Sequence, residues 1–207
     1  MSAGWTTVKE AATASFVERK SEFIGHITPV KTEEEAIAFV NKIKKQYADA
    51  KHNVYAYLLR ENNITRFSDD GEPHGTAGLP VLDVLRKEGV TDAAVVVTRY
   101  FGGILLGTGG LVRAYSQGAK MALDAAGKSV VEKLLVFSLR VNYSDLQKAE
   151  PILDNQTLLK LDTVYADDVT IVAAIREAEY PPLEKALTER TNGRAILKVE
   201  GERFDCI

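Results

Sequence analysis

The sequence predicts an α+β fold in two domains, which we place at residues 1–129 and 130–207. Three observations predict it. Apolar residues recur in turn at helical and at strand spacing along most of the chain. Ten of the fifteen glycines lie between positions 71 and 118. Residues 1–130 contain 16 basic and 15 acidic residues, a net charge of +1, whereas residues 131–207 contain 10 and 14, a net charge of −4. Glycine content and charge therefore both change near the proposed boundary.

The first domain begins with short strand patterns and an amphipathic helix. We predict this helix over 33–48, because Thr32 and Glu35 form a capping box in which the hydroxyl accepts a backbone N–H and the carboxylate reaches back. Lysines occupy its last turns, where the helix dipole favours cations. Strands are predicted at five stretches around this helix: 5–8, 16–18, 23–30, 54–60 and 64–68.

Two further helices and a central strand complete the first domain. Pro80 suits the first position of a helix that runs to Glu88, and Gly89 provides its C-terminal stop. Residues 93–98 are apolar on both faces, which is typical of a central strand. A long helix opens in the glycine-rich segment that follows and ends near Ala126.

The second domain is predicted to be a ferredoxin-like sandwich, in which two helices cover one face of an antiparallel sheet. Its strand and helix patterns follow one another in the order βαββαβ, which is the order of this architecture. The six elements are a strand at 134–141, a helix at 145–153, strands at 158–165 and 169–176, a helix at 181–190 and a strand at 195–199.

Composition limits the possible classes of protein. The net charge of −3 means that any nucleic-acid binding requires a local basic patch. Cys206 is the only cysteine, so no intrachain disulfide can form, and a reducing compartment fits. No signal peptide is visible, and no apolar run approaches the roughly 20 residues of a membrane span. We therefore expect a cytoplasmic protein that does not contact a membrane.

The glycine-rich segment at 106–115 has the clearest implication for function. Gly107, Gly109 and Gly110 lie where the long helix begins, and they leave the backbone amides there unobstructed. The unpaired amides and positive dipole end of a helix start form a site for an anion. Thr108 adds a hydroxyl that can serve as an N-cap or as an anion ligand.

Nearby side chains supply the other parts of a nucleic-acid site. Arg99 and Arg113 provide positive charge and can contact phosphate in a bidentate manner. Tyr100, Phe101 and Tyr115 offer flat surfaces on which bases can stack. The alternative is that the glycines only permit turns and close packing. Small residues recur every four positions along this helix, at Gly110, Ala114, Gly118, Ala122 and Ala126.

A second group of polar residues lies in the segment D-D-G-E-P-H. Asp69, Asp70, Glu72 and His74 fall within six residues and include the oxygen and nitrogen ligands that a divalent ion takes. They are also candidates for general acid–base groups. Their spacing matches no strong metal signature, and aspartates beside Gly and Pro are typical of a turn that caps its own amides. We favour the turn, and we expect no metal and no cofactor.

Histidines provide the remaining candidates. His52 stands at the start of a strand, where it is either a hydrogen-bonded structural residue or a base for Ser68 or Thr98. His26 lies in an apolar strand pattern and is expected to be structural. The candidates for catalytic residues are accordingly His52, Asp69, Asp70 and Glu72.

Four segments resemble the IMPACT/YigZ family. They are K-S-E-F-I-G-H (20–26), A-K-H-N-V-Y-A-Y (50–57), S-D-D-G-E-P-H-G-T-A-G (68–78) and V-T-R-Y-F-G-G-I-L-L-G-T-G-G-L-V-R-A-Y (97–115). The resemblance implies a first domain like the second domain of small-subunit ribosomal protein five, a fold shared with elongation factor G domain four and the GHMP kinases. It implies a second domain like elongation factor G domain five. The eukaryotic relative is a translational regulator, whereas the bacterial members have no settled biochemical activity.

Three hypotheses for function follow. The first is a protein that binds RNA or associates with the ribosome and is connected with translation regulation. The second is a protein-interaction adaptor, as the eukaryotic relative implies. The third is an enzyme that acts on a phosphorylated or acylated small molecule, for which the GHMP kinase likeness is analogy alone. We rank them in that order, so that enzymatic activity is the least favoured, and the sequence leaves the oligomeric state open.

Overall fold

The computed structural model describes residues 4–207. The chain divides into two compact units, Trp5–Ser129 and Val130–Ile207, with Gly4 grouped with the second unit. The division that the sequence predicts, between residues 129 and 130, falls at the same position. Among residues 4–207, no helix is long and apolar enough to cross a membrane.

The first unit is built on a five-stranded antiparallel sheet in the order β2-β3-β6-β4-β5. Strand β6 lies at the centre, where its sequence is apolar on both faces, and this confirms the predicted central strand. The strands of this unit are β1 (Trp5–Val8), β2 (Ala12–Glu18), β3 (Ser21–Pro29), β4 (His52–Leu59), β5 (Ile64–Ser68) and β6 (Ala93–Tyr100).

Three helices cover the two faces of this sheet: α1 (Glu33–Gln46), α2 (Gly78–Lys87) and α3 (Thr108–Ala126). Successive residues of a strand point to opposite faces. Ala94 and Val96 of β6 accordingly pack in the clusters that contain α1, while Val95 and Val97 pack in the cluster that contains α2 and α3. One sheet therefore separates two hydrophobic layers.

Helix α3 lies unusually close to the sheet because its contact face is made of small residues. A Cβ atom added at Gly118 would lie 2.9 Å from Val97 Cγ1, and one added at Gly25 on β3 would lie 2.2 Å from the Gly118 carbonyl oxygen. These distances are shorter than van der Waals contact. The small-residue stripe predicted from the sequence therefore packs against β3 and β6.

The predicted element ends are accurate where the capping residues act locally. The Thr32 hydroxyl accepts the Glu35 N–H at 3.3 Å, and α1 ends at Gln46, two residues before the prediction. Helix α2 begins at Gly78 rather than Pro80, because the N–H of Gly78 is held by an Asp69 carboxylate oxygen at 2.8 Å. A contact nine residues back in the chain fixes this end.

The second unit is a ferredoxin-like sandwich, as predicted. Its strands are ordered β10-β7-β9-β8 and every pair is antiparallel. A single core holds the buried faces of the strands together with the two helices. The elements are β7 (Lys128–Val141), α4 (Tyr143–Asp154), β8 (Leu158–Tyr165), β9 (Val169–Arg176), α5 (Tyr180–Arg190) and β10 (Ile196–Cys206).

The last strand is longer than the sequence indicates. It was expected at 195–199, but β10 runs to Cys206 and pairs with β7 along its whole length. The pairing shifts register between Val199 and Gly201, where Gly201 has φ = +156°. The residues after Val199 are mostly polar and do not show the alternation of a strand. They form one because they pair with β7.

Candidate functional site

A cleft of about 440 Å³ lies in the first unit, beside the end of β6 and the start of α3. Alternate residues of β6 point to the face of the sheet that α3 covers. Val95 and Val97 are in the apolar core on this face, and Arg99, two residues further, lines the cleft. Polar residues form one part of the lining and apolar residues the other. The lining residues are Lys51, His52, Gly71, Glu72, Pro73, Arg99, Phe101, Leu105, Leu106, Gly107, Thr108 and Leu111.

Glu72 is the centre of a buried polar cluster at this cleft. Its Oε1 atom accepts hydrogen bonds from Arg99 Nη1 at 2.6 Å and from the Tyr115 hydroxyl at 2.7 Å. His52 Nε2 lies 3.7 Å from the same oxygen. All four residues are buried, and burial together with the neighbouring carboxylate raises the pKa of Tyr115. A charge in such a place must be paired, and Arg99 and Glu72 pair with one another, while Arg99 Nε is buried without a partner among residues 4–207.

Strand pairing brings the histidine and the arginine together. His52 on β4 is directly opposite Arg99 on β6, and Phe23 on β3 is opposite Arg99 on its other side. Residues that face each other across strands share a face of the sheet. The imidazole and guanidinium groups therefore reach the same cleft although 46 residues of sequence separate them.

Asp69 organises the loop that delivers Glu72. Its carboxylate accepts N–H groups of Gly75 at 2.9 Å, Ala77 at 3.1 Å and Gly78 at 2.8 Å. Burial opposes its ionisation, but these three hydrogen bonds outweigh burial and hold the pKa of Asp69 below its ordinary value. Asp69 therefore caps the amides of its own turn, as the sequence analysis expects of this segment.

Asp70 joins the same loop to β4 and α1. Its side chain accepts the Asn53 N–H at 2.7 Å and pairs with Lys44 Nζ at 2.6 Å. Its carbonyl oxygen lies 2.9 Å from His52 Nδ1. Both aspartates proposed as catalytic candidates are thus engaged in holding the loop, while Glu72 and His52 line the cleft.

The start of α3 forms another wall of the cleft. Gly107 is its N-cap with φ = +73°, a conformation that favours glycine, and no side chain caps the helix. Thr108 is the first helical residue, which corrects its expected role as N-cap. The first amides of a helix have no partner within it, and this applies to Thr108, Gly109 and Gly110. Of these three residues only Thr108 lines the cleft, and Gly110 lines a separate cavity together with Arg113. The helix start therefore has the unpaired amides that the sequence predicts.

Phe101 lies close to two cations in the lining of the cleft. Its ring is 44% exposed. Lys51 Nζ lies 5.8 Å from the ring centroid, and the Arg99 guanidinium carbon lies 5.4 Å from it. Such positions are those of cation–π contacts. An exposed aromatic face thus stands beside positive charge, in the same cleft as Thr108 at the start of α3.

The structure does not bring the other predicted side chains to this cleft. Arg113 lines a separate cavity of about 240 Å³ with Glu18 and Arg19, because it follows the start of α3 by more than one turn and points along another side. Tyr115 is fully buried, so its ring offers no stacking surface. Tyr100 donates its hydroxyl to Asp49 at 2.8 Å, outside the lining. These placements correct the expected roles of the three residues.

The pairings proposed for the histidines also change. The Ser68 hydroxyl accepts the Asp70 N–H at 3.1 Å, and the Thr98 hydroxyl donates to Asn53 at 2.7 Å, so neither is bonded to His52. His26 is buried, and burial lowers its pKa to about 4. This agrees with its expected structural role.

The metal alternative for the acidic segment has no geometric support. Within residues 4–207, no group of three or more His, Cys, Asp or Glu side chains converges as a metal site. The His74 side chain is fully exposed, and its Nδ1 lies 3.7 Å from Asp69 Oδ2, which already accepts the Gly75 N–H.

Lys51 and Leu105 are cleft residues that the sequence did not single out. Lys51 immediately precedes His52, so its proximity to a candidate site was a usable signal. Leu105 is 80% exposed. From sequence alone, a leucine in an apolar run is expected in the core. The fold shows instead that Leu105 lies at the exposed edge of the cleft.

Family models match both units. The Impact N-terminal domain matches residues 19–123, and the Domain of unknown function (DUF1949) matches residues 139–194. IMPACT family member YvyE of Bacillus subtilis (strain 168) is 44% identical over 199 residues, which are 95% of this chain and 90% of the relative. The chain belongs to the IMPACT family.

Further relatives extend this result. IMPACT family member YigZ of Escherichia coli (strain K12) is 35% identical over 188 residues, 88% of this chain and 92% of the relative. A solved structure described as a crystal structure of an hypothetical protein shares 32% identity at a TM-score of 0.60, over 94% of this chain and 96% of that one. The IMPACT/YigZ resemblance drawn from the four sequence segments is confirmed.

Proposed function

We propose that this IMPACT family protein binds single-stranded RNA at the cleft of its first unit. The observation that supports it is the position of the exposed Phe101 ring close to Lys51 and Arg99, in the same cleft as Thr108 at the start of α3. Single-stranded nucleic acids bind where bases can stack on aromatic rings and phosphates can reach cations. In this arrangement a phosphate contacts Lys51 and the α3 amides, and an adjacent base stacks on Phe101.

The charge of the cleft sets the strength of binding. Lys51 and Arg99 outnumber Glu72 by one, and Glu72 already neutralises Arg99 at 2.6 Å. Few counterions are released by such a site, so the affinity depends weakly on salt, with Lys51 contributing about 0.7 to the slope of log K against log salt. Stacking adds about 1–3 kcal/mol for each base.

The second unit is a poor surface for stacking. On the two central strands, the residues that alternate with the buried core positions are Val136, Ser138, Arg140, Thr170, Val172 and Ala174. None is aromatic, whereas ferredoxin-like RNA-binding domains stack bases on aromatic residues of this face. The net charge of −4 over residues 131–207 also repels phosphate. We therefore assign RNA contact to the first unit.

The test is fluorescence anisotropy with a labelled single-stranded RNA at several salt concentrations. Lys51→Ala should weaken binding and lower the salt slope by about 0.7. Phe101→Ala should weaken binding about 5- to 100-fold with an unchanged slope. Matched controls are Lys87→Ala and Phe67→Ala, the latter removing a ring that is 43% exposed on β5. Binding that both sets of variants reduce equally, or no binding at low salt, would refute the proposal.

We also propose that the RNA belongs to the translation apparatus and that the protein acts in the cytoplasm. The family resemblance implies that both units are like parts of ribosomal and elongation-factor proteins, which supports the first statement. The single cysteine fits a reducing compartment. Cosedimentation with ribosomes and with free ribosomal RNA, using the same four variants, tests this extension.

A further inference from the structure

Among the described residues, no side chain or backbone group is hydrogen-bonded to the Nε2 atom of His52 in the cleft. His52 is only 8% exposed, and its Nδ1 atom lies 2.9 Å from the carbonyl oxygen of Asp70. A carbonyl oxygen only accepts hydrogen bonds, so Nδ1 must carry the hydrogen. In the neutral imidazole the other nitrogen, Nε2, then presents a lone pair.

No protein donor in the described part of the chain is bonded to this lone pair. Glu72 Oε1 lies 3.7 Å from Nε2 and is itself an acceptor. Within residues 4–207, no hydrogen bond reaches Nε2. Gly71 closes the other side of the ring, where an added Cβ would lie 3.5 Å from Nδ1. Nε2 is therefore an acceptor with no protein donor among these residues, and water or a ligand group in the cleft can supply the hydrogen bond.

Donors lie around the same space. Lys51, Arg99 and Thr108, the first residue of α3, share the cleft lining with His52. A ligand group placed there meets an acceptor at Nε2 and donors on the remaining sides. A hydroxyl group both donates one hydrogen bond and accepts others, so it fits this combination, whereas a phosphate oxygen or a carbonyl has no hydrogen for Nε2.

We propose that His52 Nε2 accepts a hydrogen bond from a ribose 2′-hydroxyl of the bound strand and thereby selects RNA over DNA. This inference rests on the proposed function, because it assigns the sugar of a nucleotide whose phosphate lies near α3. The 2′-hydroxyl is the group by which a protein distinguishes RNA from DNA at one site. A deoxyribose leaves Nε2 desolvated and unpaired, which lowers the affinity for DNA by about tenfold or more.

The experiment compares three labelled strands of one sequence on the full chain. The strands contain ribose, 2′-deoxyribose or 2′-fluororibose; the fluoro sugar keeps an RNA-like pucker but donates no hydrogen bond. We expect RNA to bind about tenfold more tightly than both others. Equal affinity of all three strands overturns the inference and leaves RNA binding intact. Failure of all three to bind overturns the proposed function itself.

Two substitutions of His52 identify the acceptor. His52→Asn places an amide N–H near the Nδ1 position and removes the acceptor, so RNA affinity should fall to that of DNA. His52→Gln returns an oxygen acceptor near the Nε2 position and should restore the preference. His74→Asn is the matched control, because His74 is exposed outside the cleft lining. A preference that persists in His52→Asn, or is absent from both variants, overturns the role of His52. Should His52→Asn fail to fold, the three strands on the unaltered chain still decide the hydroxyl requirement and His52→Gln the acceptor.

Discussion

Arg99 Nη1 donates a hydrogen bond of 2.6 Å to Glu72 Oε1, and both side chains are almost completely buried. The two charges come from different parts of the chain, the end of β6 and the loop before α2. Burying either alone would cost several kcal/mol, and the pair offsets that cost only through close geometry and the added hydrogen bond from Tyr115. The buried cluster of Glu72, Arg99 and Tyr115 therefore stabilises the fold in addition to lying beside the cleft.

Replacement of Glu72 should destabilise the first unit strongly. Glu72→Ala leaves Arg99 buried without a counter-charge, which we expect to lower the free energy of unfolding by about 3–5 kcal/mol. Urea denaturation followed by circular dichroism measures the change, with the exposed Glu10→Ala as the control. A loss below about 1 kcal/mol, the range of exposed ion pairs, would show that the pair is solvated rather than buried.

Removal of the Tyr115 hydroxyl isolates one hydrogen bond of the same cluster. Tyr115→Phe keeps the ring, which packs edge-on against Phe23 with centroids 5.3 Å apart, but deletes the donor to Glu72. Hydrogen bonds to charged groups are worth about 1.5–3 kcal/mol, and we expect a destabilisation in that range. Tyr100→Phe removes an exposed hydroxyl from Asp49 and should change the unfolding midpoint little. Equal effects of the two variants would contradict the buried role of Tyr115.

Local sequence signals were sufficient for most of the fold. The Thr32 cap, the all-apolar β6 and the βαββαβ order each reflect interactions within a few residues or a simple period, and the structure follows them. The end of β10 and the start of α2 were misplaced. In those cases a partner distant in the chain, β7 or Asp69, sets the boundary.

The candidate site was harder to predict for the same reason. The amides at the start of α3 are a local property of Gly107 and its neighbours, and they were predicted. The state of Arg99 is not local, because its partner Glu72 is 27 residues earlier and the register that sets His52 opposite it spans two strands. A sequence shows which charges exist but not which of them neutralise each other. The sequence therefore predicts that Arg99 can bind phosphate, whereas in the structure it is paired with Glu72.

The two glycines of α3 at positions 109 and 118 should respond oppositely to alanine. A Cβ at Gly118 would lie 2.9 Å from Val97 Cγ1, so Gly118→Ala should cost about 1–3 kcal/mol through overpacking. A Cβ at Gly109 meets nothing within 4 Å, so Gly109→Ala should stabilise by up to about 1 kcal/mol through helix propensity. Thermal and urea unfolding of both variants measure the signs. A stabilised Gly118→Ala would mean that α3 can move away from the sheet.

Asp145 should make the stability of the second unit depend on pH. Its buried carboxylate accepts Arg194 Nε and Lys148 Nζ, each at 2.7 Å, and these hydrogen bonds hold the pKa of Asp145 well below its ordinary value. A folded-state pKa below the unfolded-state value means that the ionised group stabilises the fold above about pH 4 and that this stabilisation is lost as the pH falls further.

Asp145→Asn tests this sign directly. The variant should unfold at lower urea than the unaltered chain near pH 7, and the difference between them should shrink progressively toward about pH 3, as the carboxylate of the unaltered chain loses its advantage. Asp167→Asn, at an exposed position in the β8–β9 turn, should show little difference at either pH. A gap between Asp145→Asn and the unaltered chain that stays constant with pH would mean that Asp145 acts through packing or capping of α4 rather than through its charge, since neither of those contributions requires the carboxylate to be ionised.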